Sequence, residues 1–91
     1  MSTAMQLATP SGMPTPTLAM SGDELFQLGL RYSIGHGGTP RDAIAAHMLF
    51  NLAALRGSVE AKIYRKELAD EMEPAALAEA QRAAREWLAR G

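Results

Sequence analysis

The side chains best suited to acid–base or metal chemistry in this 91-residue chain are its two histidines, His36 and His47. Imidazole titrates near neutral pH and is the commonest metal ligand. His36 stands among glycines, and His47 lies in an apolar segment with no Asp, Glu or His set at metal-ligand spacing. The chain has no cysteine, which excludes thiolate zinc sites and cysteine nucleophiles. We therefore predict two ordinary surface histidines, no metal and no cofactor.

A glycine-rich run, Gly35-His36-Gly37-Gly38, precedes a predicted helix start, as phosphate-binding loops do. It lacks the lysine of the nucleotide-binding loop and does not follow a strand pattern, so a phosphate site is not favoured. Asp70, Glu71 and Glu73 form an acidic run that is typical of a solvated helix end. No nucleophile, base and acid can be grouped, and we expect a non-catalytic protein with no catalytic residues.

The charge balance argues against a nucleic-acid or membrane-surface partner. Nine Lys and Arg face ten Asp and Glu, for a formal net charge of -1, so no net positive field attracts polyanions. One basic cluster keeps a small helical nucleic-acid-associated regulator open as the alternative, although acidic residues are interspersed with it. Its members are Arg56, Lys62, Arg65 and Lys66.

Residues 1–21 differ in composition from the rest. They carry no ionisable side chain and contain three prolines, which predicts a flexible tail. They lack the basic start and the unbroken apolar run of about 7 to 15 residues that a secretory signal needs. We expect a cytoplasmic chain without a membrane span.

Residues 22–91 are predicted to form one all-α domain of about four helices in antiparallel hairpins. The 47% hydrophobic content is globular, and no strand alternation of useful length occurs. Ser21 and Glu24 have the spacing of a capping box, which predicts a first helix running to about Ile34 and ending before Gly35.

Three further start signals follow. Thr39–Pro40 predicts a second helix over about 40–56, because threonine is a good N-cap and proline suits the first helical position. Gly57 would end that helix. Ser58 is the predicted cap of the third helix, and Pro74 is predicted to open the fourth.

Ten residues between Leu28 and Ala61, most of them glycine or alanine, have a characteristic spacing. They are Leu28, Gly29 and Tyr32 in the first helix, Gly35 and Gly37 in the loop, Asp42 near the second helix start, Ala46 and Ala53 within it, and Gly57 and Ala61 beyond it. This pattern resembles the Sel-one-like repeat, a relative of the tetratricopeptide repeat built from two antiparallel helices. The resemblance covers about one repeat, from Glu24 to Ala61, and leaves the last two helices as a following repeat or cap.

The resemblance implies a protein–protein interaction module, an adaptor or scaffold, as in family members that serve bacterial signalling, envelope complexes and protein quality control. In such repeats the first helices line the partner-binding surface. By that resemblance the expected contact residues form one surface of the predicted first helix, which begins after Ser21, ends at about Ile34 and is called α1 below. We name this surface the α1 stripe: Phe26, Gln27, Leu30, Arg31 and Ile34. The residues alone also allow that this stripe is ordinary core. Gly29, Ala46 and Ala53 are predicted to let the two helices approach closely.

The second helix is apolar nearly all round, with His47 and Asn51 as the polar residues between Ile44 and Leu55. Its surplus apolar face needs a cover, supplied either by the last two helices or by another chain. The domain holds about one and a half to two repeat units, whereas repeats of this kind usually need about three to bury a continuous core. We therefore expect a protein partner or self-association as a homodimer.

Overall fold

A computed structural model describes residues 17, 19–35 and 37–90, and these described residues hold four α-helices and no strand. The all-α prediction is confirmed. Most of the predicted tail, namely residues 1–16 and 18, lies outside the described residues, as do His36 and Gly91. The helices are α1 (Gly22–Ile34), α2 (Ala43–Leu55), α3 (Val59–Glu71) and α4 (Pro74–Arg90).

Local capping chemistry sets both ends of α1. The Ser21 hydroxyl accepts from the Glu24 N–H at 3.1 Å, and the Glu24 carboxylate accepts from the Ser21 N–H at 2.8 Å. The predicted capping box is therefore present. Gly35 ends the helix in the left-handed conformation, with φ 68°, and donates its N–H to the Arg31 carbonyl at 2.9 Å.

The predicted start of the second helix is wrong by three residues. Asp42, rather than Thr39, is the N-cap of α2, and its carboxylate accepts from the Ala45 N–H at 3.0 Å. Thr39 is buried in the preceding loop, where its hydroxyl accepts a long hydrogen bond from Arg31 at 3.5 Å. Two capping residues stand close together in the sequence, and the packing of the loop selects the second. The Ser58 cap of α3 and the start of α4 at Pro74 agree with prediction.

Helix α2 lies at the centre of the fold, packed along α1, α3 and α4, whereas α3 and α4 make no comparable contact with each other. Most of the apolar surface of α2 is therefore covered by the other three helices of the same chain. Leu52 is fully buried, and Ile44 and Met48 are partly buried by the chain itself. Leu55, at the end of α2, is the large apolar side chain of this helix that stays mostly exposed.

Helices α1 and α2 approach closely where the sequence places small residues. A Cβ atom on Gly29 would lie 2.7 Å from two ring carbons of Phe50, so glycine is the residue that fits here without a shift of that ring. Ala46 and Ala53 are fully buried on the facing helix. Gly22, which the sequence did not single out, has a similar role at the start of α1, because a Cβ there would lie 2.8 Å from the Arg56 carbonyl oxygen.

The remaining residues of the repeat pattern are either buried or lie in turns with positive φ. Leu28, Tyr32 and Ala61 are buried, which agrees with their predicted inward positions. The predicted turn glycines Gly35, Gly37 and Gly57 all have positive φ. A side chain is strained in that backbone conformation, so these positions favour glycine.

Candidate functional site

The predicted α1 stripe does not form one exposed face. Phe26 is only 7% exposed and lies in the core, so its assignment as a contact residue is wrong. Leu30 is partly buried and packs against the same core. Gln27, Arg31 and Ile34 are exposed, and Ile34 presents 66% of its surface.

Phe26 is buried because an aromatic side chain from α3 covers it. Its ring centre lies 5.1 Å from that of Tyr64 in an edge-to-face arrangement and 5.8 Å from that of Phe50. The rings of Phe50 and Tyr64 are also 5.8 Å apart. These three rings join α1, α2 and α3, and aromatic pairs at such distances stabilise a core beyond their buried area.

The exposed aliphatic surface lies instead at the corner between α2 and α3. Val59 and Ile63 are 66% and 55% exposed, one helical turn apart, on the face of α3 opposite buried Ala61. Leu55 is 62% exposed at the adjoining end of α2. We name Leu55, Val59 and Ile63 the corner patch. Large exposed aliphatic side chains that share a helix face are a feature of interaction surfaces.

A second feature lies where α3 and α4 diverge over α2. The gap forms a pocket of about 310 Å³, which we name the His47 pocket, and polar side chains dominate its lining. Helix α2 contributes His47 and Asn51, α3 contributes Arg65, Lys66 and Ala69, and α4 contributes Leu77 and Gln81.

His47 is not the surface histidine that the sequence predicts. Its side chain is 3% exposed, because the other three helices all pack against α2. The Nδ1 atom is buried and has no hydrogen-bond partner in the structure. Burial, followed by the nearby Arg65 charge, lowers the pKa of His47 from its ordinary value of 6.5. The neutral imidazole is therefore the favoured form at pH 7.

Arg65 is held in place beside this histidine. Its Nη1 donates to the Asn51 Oδ1 at 2.8 Å, which joins α3 to α2 at the pocket. Lys66 Nζ lies 3.5 Å from the Asp70 carboxylate on the outer surface of α3. The pocket is thus lined by two cations and no carboxylate.

The predicted basic cluster extends from the residue after α2 along one part of α3. Arg65 and Lys66 face the His47 pocket, and Arg56 donates to the Met20 carbonyl oxygen at 2.7 Å. Lys62 is exposed one turn before Lys66 on α3 and does not line the pocket. The nucleic-acid interface stays a prediction.

The helix that follows the glycine-rich run is capped by one of its own side chains. The helix that follows begins only at Ala43, and the Asp42 carboxylate occupies its N-terminus. A carboxylate at that position accepts from one of the first-turn amides that an anion would otherwise bind, here the Ala45 N–H, and its negative charge disfavours a second anion.

Two kinds of feature are absent from the described residues. In residues 17, 19–35 and 37–90, no group of three His, Asp or Glu side chains lies close enough to hold a metal ion. Over the same described residues, no helix is both long and apolar enough to cross a membrane.

Comparison of the chain with family models, curated proteins and solved structures gave no significant match.

Proposed function

We propose that this chain is a non-catalytic protein-interaction module of the Sel-one-like type, and that its partner at the corner patch is a second copy of itself. The observation that carries the proposal is the exposure of three large aliphatic side chains, Leu55, Val59 and Ile63, at the corner between α2 and α3. A patch confined to one corner suits a two-fold interface, in which the same surface is used by both copies.

The architecture supports a weak association rather than an obligate one. Helix α2 is already covered within one chain, so folding does not require a second copy. Six aliphatic side chains from two copies contribute about 9 kcal/mol if each contributes about 1.5 kcal/mol on burial. Association costs at least about 4 kcal/mol. The difference corresponds to a dissociation constant on the order of 0.1 mM or weaker.

The test is the mass of the full chain in solution, measured by light scattering over a dilution series. Two variants are matched, because Ile63→Glu and Ile34→Glu introduce the same charge at two exposed isoleucines on different helices. We expect the native chain and Ile34→Glu to dimerise with increasing concentration, and Ile63→Glu to remain monomeric with unchanged helicity. A monomeric native chain at every concentration would overturn the proposal. Equal loss in both variants would show that the corner patch is not the specific surface.

A further inference from the structure

The His47 pocket has a composition that self-association at the corner patch does not explain. It is lined mainly by hydrogen-bonding side chains, and Leu77 is its only large aliphatic residue. Its volume, about 310 Å³, stands at the small end of ligand sites, which span roughly 300–1,000 Å³. A site of this size and polarity suits a small polar ligand rather than an apolar one.

The charges around the pocket select the sign of that ligand. Arg65 and Lys66 line it, and no Asp or Glu does. Lys66 forms an exposed ion pair at 3.5 Å with Asp70, which does not line the pocket. The side chains from α4, Leu77 and Gln81, are uncharged. The local field therefore favours an anion.

The hydrogen-bonding geometry indicates an anion with oxygen acceptors. Asn51 fixes the guanidinium of Arg65 through one donor, Nη1, and the other four N–H donors remain for a ligand or water. The planar guanidinium matches carboxylate and phosphate oxygens with two parallel hydrogen bonds. His47 lines the same pocket, and its buried Nδ1 has no hydrogen-bond partner, so the imidazole has hydrogen-bonding capacity that the described residues do not use.

We propose that the His47 pocket binds a small oxyanion, a carboxylate or a phosphate group, through the guanidinium of Arg65 with Lys66 and His47 beside it. The inference does not depend on the proposed function, because every lining residue comes from a single copy of the chain. A monomer binds the anion as well as a dimer does.

The test follows the His47 imidazole by NMR in the full chain carrying His36→Gln, which leaves one histidine. Sodium phosphate and sodium acetate are titrated separately, with sodium chloride at matched ionic strength as the reference. We expect saturable shifts of the His47 signals with at least one of the two oxyanions and a higher His47 pKa in its presence, because a bound anion favours the charged imidazole. Binding of phosphate alone or acetate alone identifies the class of group.

Substitutions locate the binding. Arg65→Lys keeps the charge but removes the planar fork, and we expect about a tenfold loss of affinity. Lys66→Gln removes a charge at the pocket and is expected to cost about threefold. Lys62→Gln is the matched control, since it removes the same charge one turn earlier on α3, outside the pocket.

Two outcomes overturn the inference. One is that neither oxyanion shifts the His47 signals more than chloride does. The other is that Lys62→Gln and Lys66→Gln weaken binding equally, which would mean that the anion responds to the general charge of α3. Circular dichroism of each variant confirms that the fold is retained, and Arg65→Lys serves as the second variant if Lys66→Gln unfolds.

Discussion

Substituting Gly29 by alanine tests the close contact between α1 and α2. In an exposed helix this change stabilises by about 1 kcal/mol, because alanine is the better helix former. Here the new methyl carbon would lie 2.7 Å from ring carbons of Phe50, whereas carbon atoms normally pack at about 3.5–4.0 Å. Phe50 is fully buried and packed against Phe26 and Tyr64, so its ring has little room to move.

Overpacking a buried site of this kind costs about 1–3 kcal/mol. The midpoint is a cost of about 2 kcal/mol, and we expect Gly29→Ala to lower the free energy of unfolding by about 1 kcal/mol after the helix-propensity gain of about 1 kcal/mol. The assay is urea unfolding followed by circular dichroism, repeated in a Phe50→Leu background. Without the aromatic ring, Gly29→Ala is expected to stabilise by about 1 kcal/mol, which gives a coupling energy of about 2 kcal/mol between the two positions. Stabilisation by Gly29→Ala in both backgrounds, with no coupling, would refute the close-packing argument.

Three further predictions concern the burial of Phe26, the titration of His47 and the start of α2. Phe26→Ala should lower the free energy of unfolding by about 3–4 kcal/mol, because Phe26 is buried. Ile34→Ala should change it by less than about 1 kcal/mol, because Ile34 is exposed. Equal effects of the two substitutions in urea unfolding would contradict this difference in burial. Because folding lowers the pKa of His47, the unfolded chain binds more protons than the folded chain, and the free energy of unfolding should fall as the pH drops below about 6.5. His47→Leu should reduce this pH dependence. An identical pH profile in the native chain and the variant would contradict the prediction. Asp42→Ala should cost about 1 kcal/mol through loss of the α2 cap, whereas Thr39→Ala should leave the helix start unchanged by NMR.

The helix boundaries that depend on local chemistry were predictable from the sequence. Ser21 with Glu24, Ser58 and Pro74 each act through neighbours within one turn, and all three starts are found where predicted. Thr39–Pro40 failed because a second capping residue, Asp42, follows closely, and tertiary packing of the loop decides between them.

The candidate sites were less predictable because they depend on which helix covers which face. The four-residue spacing of Phe26, Leu30 and Ile34 indicates one face of α1 but not that Tyr64 covers one end of it. His47 is similar, since its burial follows from the packing of α3 and α4 against α2. The exposed pair Val59 and Ile63 was visible in the sequence as apolar residues one turn apart, opposite the Ala61 and Leu68 side of α3.

The chain offers a direct measurement of its own interface, because it contains only three isoleucines, Ile34, Ile44 and Ile63. They lie on the α1 stripe, on α2 and in the corner patch, respectively. Labelling their δ1 methyl groups and recording NMR spectra over a dilution series gives one signal for each surface. The corner-patch account predicts that the Ile63 signal moves with concentration while the Ile34 signal stays constant. Movement of the Ile34 signal with a constant Ile63 signal, or no movement of the Ile63 signal up to the solubility limit of the chain, would contradict it.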